Sequence, residues 1–210
     1  MIIPLSRRAQ QAAQKNLILV SRANALGFGL SIGQVLFLLA LQYDANDFQM
    51  GLLYAAQFVT VVSAILVPSF LHGRETSRTW CTFWYLRMFA GLGYFLVPFM
   101  GSNSARVWLI IGVYYLFMGL RNMGMTAYFP VLKALAPVRE QPSLMARQLM
   151  AGQTSVLVAQ SLCFVVLTLK VFPNEEMALL LLIGVGEFFN LVTAYLIGRL
   201  PKTGYIDDTG

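Results

Sequence analysis

Six apolar blocks, each matching the ~20 residues a helix needs to cross a hydrocarbon core, set the limits on what this chain can fold into. They run over 17–41, 48–71, 79–100, 106–132, 145–171 and 177–200. Strand-length alternation of apolar and polar residues is absent, which argues against a membrane barrel. Composition agrees: 58% of the 210 residues are apolar and 11% are charged. A water-exposed globule carries about 25% charged residues. The expected fold is therefore an all-α membrane protein of six transmembrane helices.

The charges are sorted by connection. Between blocks one and two lies Gln42-Tyr43-Asp44-Ala45-Asn46-Asp47, with acids and no base. Arg7, Arg8, Lys15, Arg22, Arg74, Arg78, Lys133, Arg139, Arg147, Arg199 and Lys202 fall on one side of the alternating path, against Arg106 and Lys170 on the other: eleven against two. The excess of bases assigns the first side to the cytoplasm of a cell membrane, with both termini there. The expected organisation is a cytoplasmic segment 1–16, a six-helix domain 17–200, and a tail 201–210 that is either free or the start of a central loop. The first block is too long for the ~7–15-residue core of a signal peptide and reads as a retained helix. Blocks one to three and four to six then have opposite orientation, the arrangement of two inverted three-helix repeats.

The net charge of +6 does not mark a nucleic-acid surface, because the bases are spread over membrane-flanking connections. Cys81 and Cys163 lie inside apolar blocks and fit small apolar fillers better than a disulfide or metal pair. His72 is the only histidine. No G-x-S-x-G, paired membrane aspartates or histidine cluster supports an intramembrane enzyme, so no catalytic residue, metal or cofactor is expected. The run from Gly27 to Gly33 lacks the G-x-G-x-x-G spacing and the preceding strand of a dinucleotide fingerprint.

Polar residues within the blocks are the candidate functional groups. Asn24, Gly27, Ser31 and Gln34 share one helical stripe, which reads either as a cavity lining or as a packing face. Gly29 and Gly33 form a neighbouring G-x-x-x-G pair suited to close helix approach. In the fourth block Tyr114, Met118, Arg121, Met125 and Tyr128 share a stripe. Arg121 falls near mid-membrane, where a charge needs a partner or water. It either pairs with Glu187 of the sixth block, which shares a face with Asn190, or binds an anionic or aromatic ligand. Gln153 and Gln160 on block five, and Gln57 on block two, serve either as interhelical glue or as ligand contacts. Arg87 is expected to snorkel to the interface or to pair with a loop carboxylate.

Two segments carry a family resemblance. Arg22-Ala23-Asn24-Ala25, followed by Asp47-Phe48-Gln49-Met50-Gly51-Leu52-Leu53, resembles the first two helices of a bacterial branch of the major facilitator superfamily. The loop after the second block resembles a worn form of that superfamily's G-x-L-A-D-R-x-G-R-R signature. Arg74 and Arg78 match its basic positions, while Ser69, Gly73 and Thr76 replace its first glycine, its acid and its second glycine. Pro137 and Arg147 match part of the loop after the fourth helix, without its acids. The resemblance covers nearly the whole chain but half of a twelve-helix protein. It implies a transporter half that moves a small solute, with membrane lipid around it. It also implies a second six-helix half, from the same chain type or a separate chain. Asn24, Ser31, Gln34, Tyr114, Arg121 and Gln153 are then candidates for the solute pathway, and Arg74 and Arg78 for the gating loop. The missing acid at Gly73 also admits a relative that no longer transports and acts as an assembly or scaffold factor.

Overall fold

The computed structural model describes residues 6–67, 73–169, 172 and 174–202. Ser69, His72 and Lys170, the distal ends of the second and fifth predicted spans, and the tail from 203 lie outside the described residues. Among the described residues there is no strand. The elements are α1 (Arg7–Ser31), α2 (Gln34–Gln42), α3 (Asp47–Val59), α4 (Thr76–Gly91), α5 (Asn103–Met125), α6 (Tyr128–Leu135), α7 (Gln141–Thr168) and α8 (Glu175–Gly198). Short 3₁₀ segments, Thr60–Leu66 and Leu92–Phe99, extend α3 and α4.

Helix starts follow local chemistry. Ser6 Oγ accepts from the Ala9 amide at 3.3 Å, and Ser102 Oγ accepts from the Ala105 amide at 3.2 Å. Asn46 and Gln49 form a reciprocal capping box at α3, satisfying amides that a helix start leaves without partners. Asn174 accepts from the Glu176 amide at 2.9 Å, and Glu175 and Glu176 place negative charge at the positive end of α8. Pro142 stands in the first turn of α7, where its missing N–H costs nothing. Between α1 and α2 the chain breaks at Gly33, whose φ of 67° is open to glycine and strained for other residues.

Five stretches are long and apolar enough to cross a membrane: Arg7–Gln42, Asp47–Ile65, Asn103–Leu135, Gln141–Thr168 and Glu175–Gly198. Large apolar side chains are exposed on several of them, among them Phe58, Ile65, Phe129, Leu157, Phe164 and Phe188. Water penalises such a surface and lipid does not, so the protein is membrane-embedded. The predicted third span differs in kind. Its α-helical part, α4, has only 16 residues and includes the cations Arg78 and Arg87. It then tightens into 3₁₀ turns containing Pro98.

The α1–α2 segment packs on α8 and α7, and α4 packs on α5 and α8. The segment from α3 through its 3₁₀ extension packs on α5. Two apolar clusters result. Leu36, Leu39, Leu53, Ile110, Leu182 and Ile183 belong to one. Leu17, Trp80, Val131, Leu135, Leu144 and Ile197 belong to the other, nearer the start of α1. At the first cluster's end, Arg106 lies 5.0 Å over the Tyr43 ring. Burial, with the Glu176 carboxylate adding to it and Arg106 opposing, pushes the Tyr43 phenol above its usual range, so that ring is neutral.

Candidate functional site

Between the two apolar clusters, α1, α4 and α8 cross, and each contributes a small residue at the crossing. A Cβ on Gly27 would stand 2.6 Å from Asn190 Oδ1. A Cβ on Gly91 would run into the Glu187 carboxylate, and one on Gly186 into the backbone and side chain of Ser31. Close approach of the backbones places polar side chains from three helices in one buried layer.

Arg87 is fully buried. Its Nη2 donates to Asn190 Oδ1 at 2.6 Å and to Asn24 Oδ1 at 3.0 Å. Trp84 Nε1 also donates to Asn24 Oδ1, at 3.3 Å. The guanidinium carbon lies 4.5 Å from the Trp84 ring centre and 4.9 Å from that of Phe117, so two aromatic faces supply part of the stabilisation water would give. Asn190 Nδ2 donates to Glu187 Oε2 at 3.1 Å and to Ser31 Oγ at 3.3 Å. Ser31 Oγ in turn donates to the Gly27 carbonyl at 2.7 Å. No carboxylate of the described residues lies within the 4.0 Å of an ion pair from Arg87. Instead the Asn190 amide stands between guanidinium and carboxylate. Among the described residues, Arg87 Nε and Nη1, Glu187 Oε1 and the Tyr94 hydroxyl have no hydrogen-bond partner. A charged layer of this kind, short of full satisfaction, is costly in a low-dielectric interior and marks a place worth testing for function.

Of the two expectations for Arg121, the pair with Glu187 is not formed. Its guanidinium lies 5.3 Å over the Phe28 ring of α1, and its Nε has no hydrogen-bond partner. The next residue, Asn122, is committed elsewhere: its Nδ2 donates to Thr60 Oγ1 at 2.9 Å. Met118 and Tyr114, one and two turns away on the same stripe, are buried. Farther along that stripe, in α6, the Tyr128 hydroxyl donates to Gln148 Oε1 at 2.7 Å.

The other sequence candidates separate cleanly. Asn24 and Ser31 join the buried layer, facing α4 and α8. Gln34 does not join them: the break at Gly33 ends the α1 stripe, and Gln34 is exposed at the start of α2. Gly29 packs on Ala159 of α7, whereas Gly33 serves the backbone break, so the G-x-x-x-G pair is not one contact face. Gln57, Gln153 and Gln160 are exposed. Arg74 and Arg78 are exposed at the start of α4. Arg87 neither snorkels nor meets a loop carboxylate. The spacing Trp84, Arg87, Gly91 was the available signal, since it puts a ring, a cation and a gap on one helical face.

No protein-family model, no curated protein and no solved structure matches this chain.

Proposed function

We propose that the chain is one half of a secondary transporter of the major facilitator type, lying in the cell membrane with both ends cytoplasmic. In this reading it moves a small solute between itself and a second six-helix half. One observation carries the reading. Number the spans in chain order, and let one exchange with four, two with five, and three with six. The contact of span one with span five then becomes that of four with two. The contact of one with six becomes that of four with three, and three with six maps onto itself. Each of these contacts is present. Such self-mapping is what an inverted repeat of two three-helix units produces. The third span fits as well. Its 16 α-helical and 8 3₁₀ residues extend roughly 40 Å at ~1.5 and ~2.0 Å per residue, beyond the ~30 Å core.

Within this reading the Arg87–Asn190–Glu187 layer fixes spans one, three and six together. Arg121, unpaired beside Phe28, is the group offered to the solute, with Tyr114 next to it. Exposed Gln34 and Gln153 belong to the surface that a second half covers, because lipid tolerates bare amides poorly. A relative that no longer transports is the second reading. It is favoured by Gly73, whose φ of 72° suits glycine where the family signature has an acid.

Uptake by proteoliposomes, with and without a co-expressed second half, separates the two. A panel of radiolabelled carboxylates, phosphate esters and sugars should give saturable flux for at least one class, lost in Arg121→Ala. Absence of flux for every class, with folded protein and a bound partner half, would leave the scaffold reading standing.

A further inference from the structure

At the end of the bundle where α1 begins, the first turns of α1 and α7 diverge around a groove of about 560 Å³. Arg7, Lys15 and Arg147 line it, against one carboxylate, Glu140. Among the described residues, none of these cations has an ion-pair partner. Glu140 is met by an amide, Gln14 Nε2, at 3.5 Å. Arg147 Nε turns back to the Ser143 carbonyl of its own helix at 3.3 Å. The back wall is fixed, because Gln14 Nε2 and Gln10 Nε2 donate to the Leu135 carbonyl at 3.1 and 3.0 Å.

The depth of the groove gives it a second character. Ile18, in the first turn of the apolar block, also lines it. On α7, beyond buried Gln148, Leu149 and Met150 are exposed within three residues of Arg147. The cations therefore stand where hydrocarbon begins, with apolar side chains below them. A soluble anion would use the upper part alone; a lipid with a negative headgroup would use both.

We propose that this groove is a binding site for an anionic phospholipid, its phosphate held by Lys15 and Arg147 and its acyl chain descending past Ile18. A zwitterionic lipid carries its own cation and gains less from the three bases. The inference needs a membrane-embedded protein but not a transporter.

The test uses the purified full chain in detergent, with thermal unfolding followed as phosphatidylglycerol, phosphatidylcholine or inorganic phosphate is added. Phosphatidylglycerol should raise the midpoint saturably, while the other two do not. Lys15→Ala with Arg147→Ala should weaken its apparent affinity roughly thirtyfold, and Arg139→Ala, outside the groove, should leave it unchanged. Equal stabilisation by phosphatidylcholine overturns the proposal. Stabilisation by phosphate alone makes the groove a site for a soluble anion and equally overturns it. A loss in Arg139→Ala as large as in the double variant would assign the effect to diffuse surface charge. Should the double variant not fold, phosphatidylglycerol with a photoreactive acyl chain, applied to the unaltered protein, gives the decision. Label concentrated in the peptide bearing Ile18 supports the site, and label spread evenly over the apolar surface rejects it.

Discussion

Asn190 accepts a 2.6 Å hydrogen bond from Arg87 on one side of its amide and donates to Glu187 at 3.1 Å on the other. Only this orientation serves both neighbours, since a guanidinium solely donates and a carboxylate solely accepts. The charges are thereby linked without touching. Direct pairing would need the longer side chains to bend around the amide, and the glycines at 27, 91 and 186 leave no spare room for helix movement.

Asn190→Ala removes both connections at once. It leaves a buried cation with one fewer acceptor and a buried carboxylate with no donor. We expect a loss of roughly 2–4 kcal/mol in unfolding free energy, measured by denaturant titration in mild detergent. A change under about 0.5 kcal/mol would show that the amide is not the link.

The two buried arginines should respond in opposite ways. Arg87→Ala removes a cation held by two amides and two rings, and should cost roughly 3–5 kcal/mol. Arg121→Ala removes a charge that makes no hydrogen bond with the described residues, so stability should change by less than about 1 kcal/mol or rise. Comparable losses in both variants would place Arg121 in the structural layer.

Glycine substitutions separate crossing points from open helix. Gly91→Ala drives a methyl into Glu187 and should cost roughly 1–3 kcal/mol. Gly51→Ala and Gly112→Ala meet nothing within 4 Å, so they should be neutral or gain up to about 1 kcal/mol from higher helix propensity. Thermal unfolding of the three variants side by side is sufficient. Equal effects would mean that α4 and α8 do not approach as closely as described.

Gly33 has free space around it but a left-handed backbone. Gly33→Ala should therefore destabilise by about 1–3 kcal/mol through backbone strain alone, and Gly33→Asn should be no better tolerated, because φ 67° with ψ −132° lies outside the left-handed helical well that asparagine visits. A stabilised Gly33→Ala would indicate that α1 and α2 join into one continuous helix. In that case Gln34 would rotate onto the Asn24 stripe and lose its accessibility to a thiol reagent when replaced by cysteine.

The helical class and the apolar extents were readable because they depend on composition and on 3.6-residue periodicity, both local properties. The link between Glu187 and Asn190 was readable for the same reason, as residues three apart share a face. The partner of Glu187 was not. Mid-depth position favoured Arg121, but depth is one coordinate and a contact needs three. Helix rotation turns Arg121 toward Phe28 and Arg87 toward Asn24 and Asn190, and that rotation is set by the glycine contacts between helices. Gln34 was misplaced for a local reason: the stripe assumed an unbroken helix across Gly33.

By itself the sequence determined that the chain forms long apolar helices in a membrane, because ~20-residue apolar runs have no other stable environment and their backbones no other way to satisfy hydrogen bonds. It also determined which residues carry charge into that interior, since Arg87, Arg121 and Glu187 lie within apolar runs wherever the helices go. Only the tertiary structure decided which of them meet. The energy of a buried charge depends on atoms a few ångströms away, contributed by helices distant in sequence. Those neighbours are chosen by how closely Gly27, Gly91 and Gly186 allow three backbones to approach.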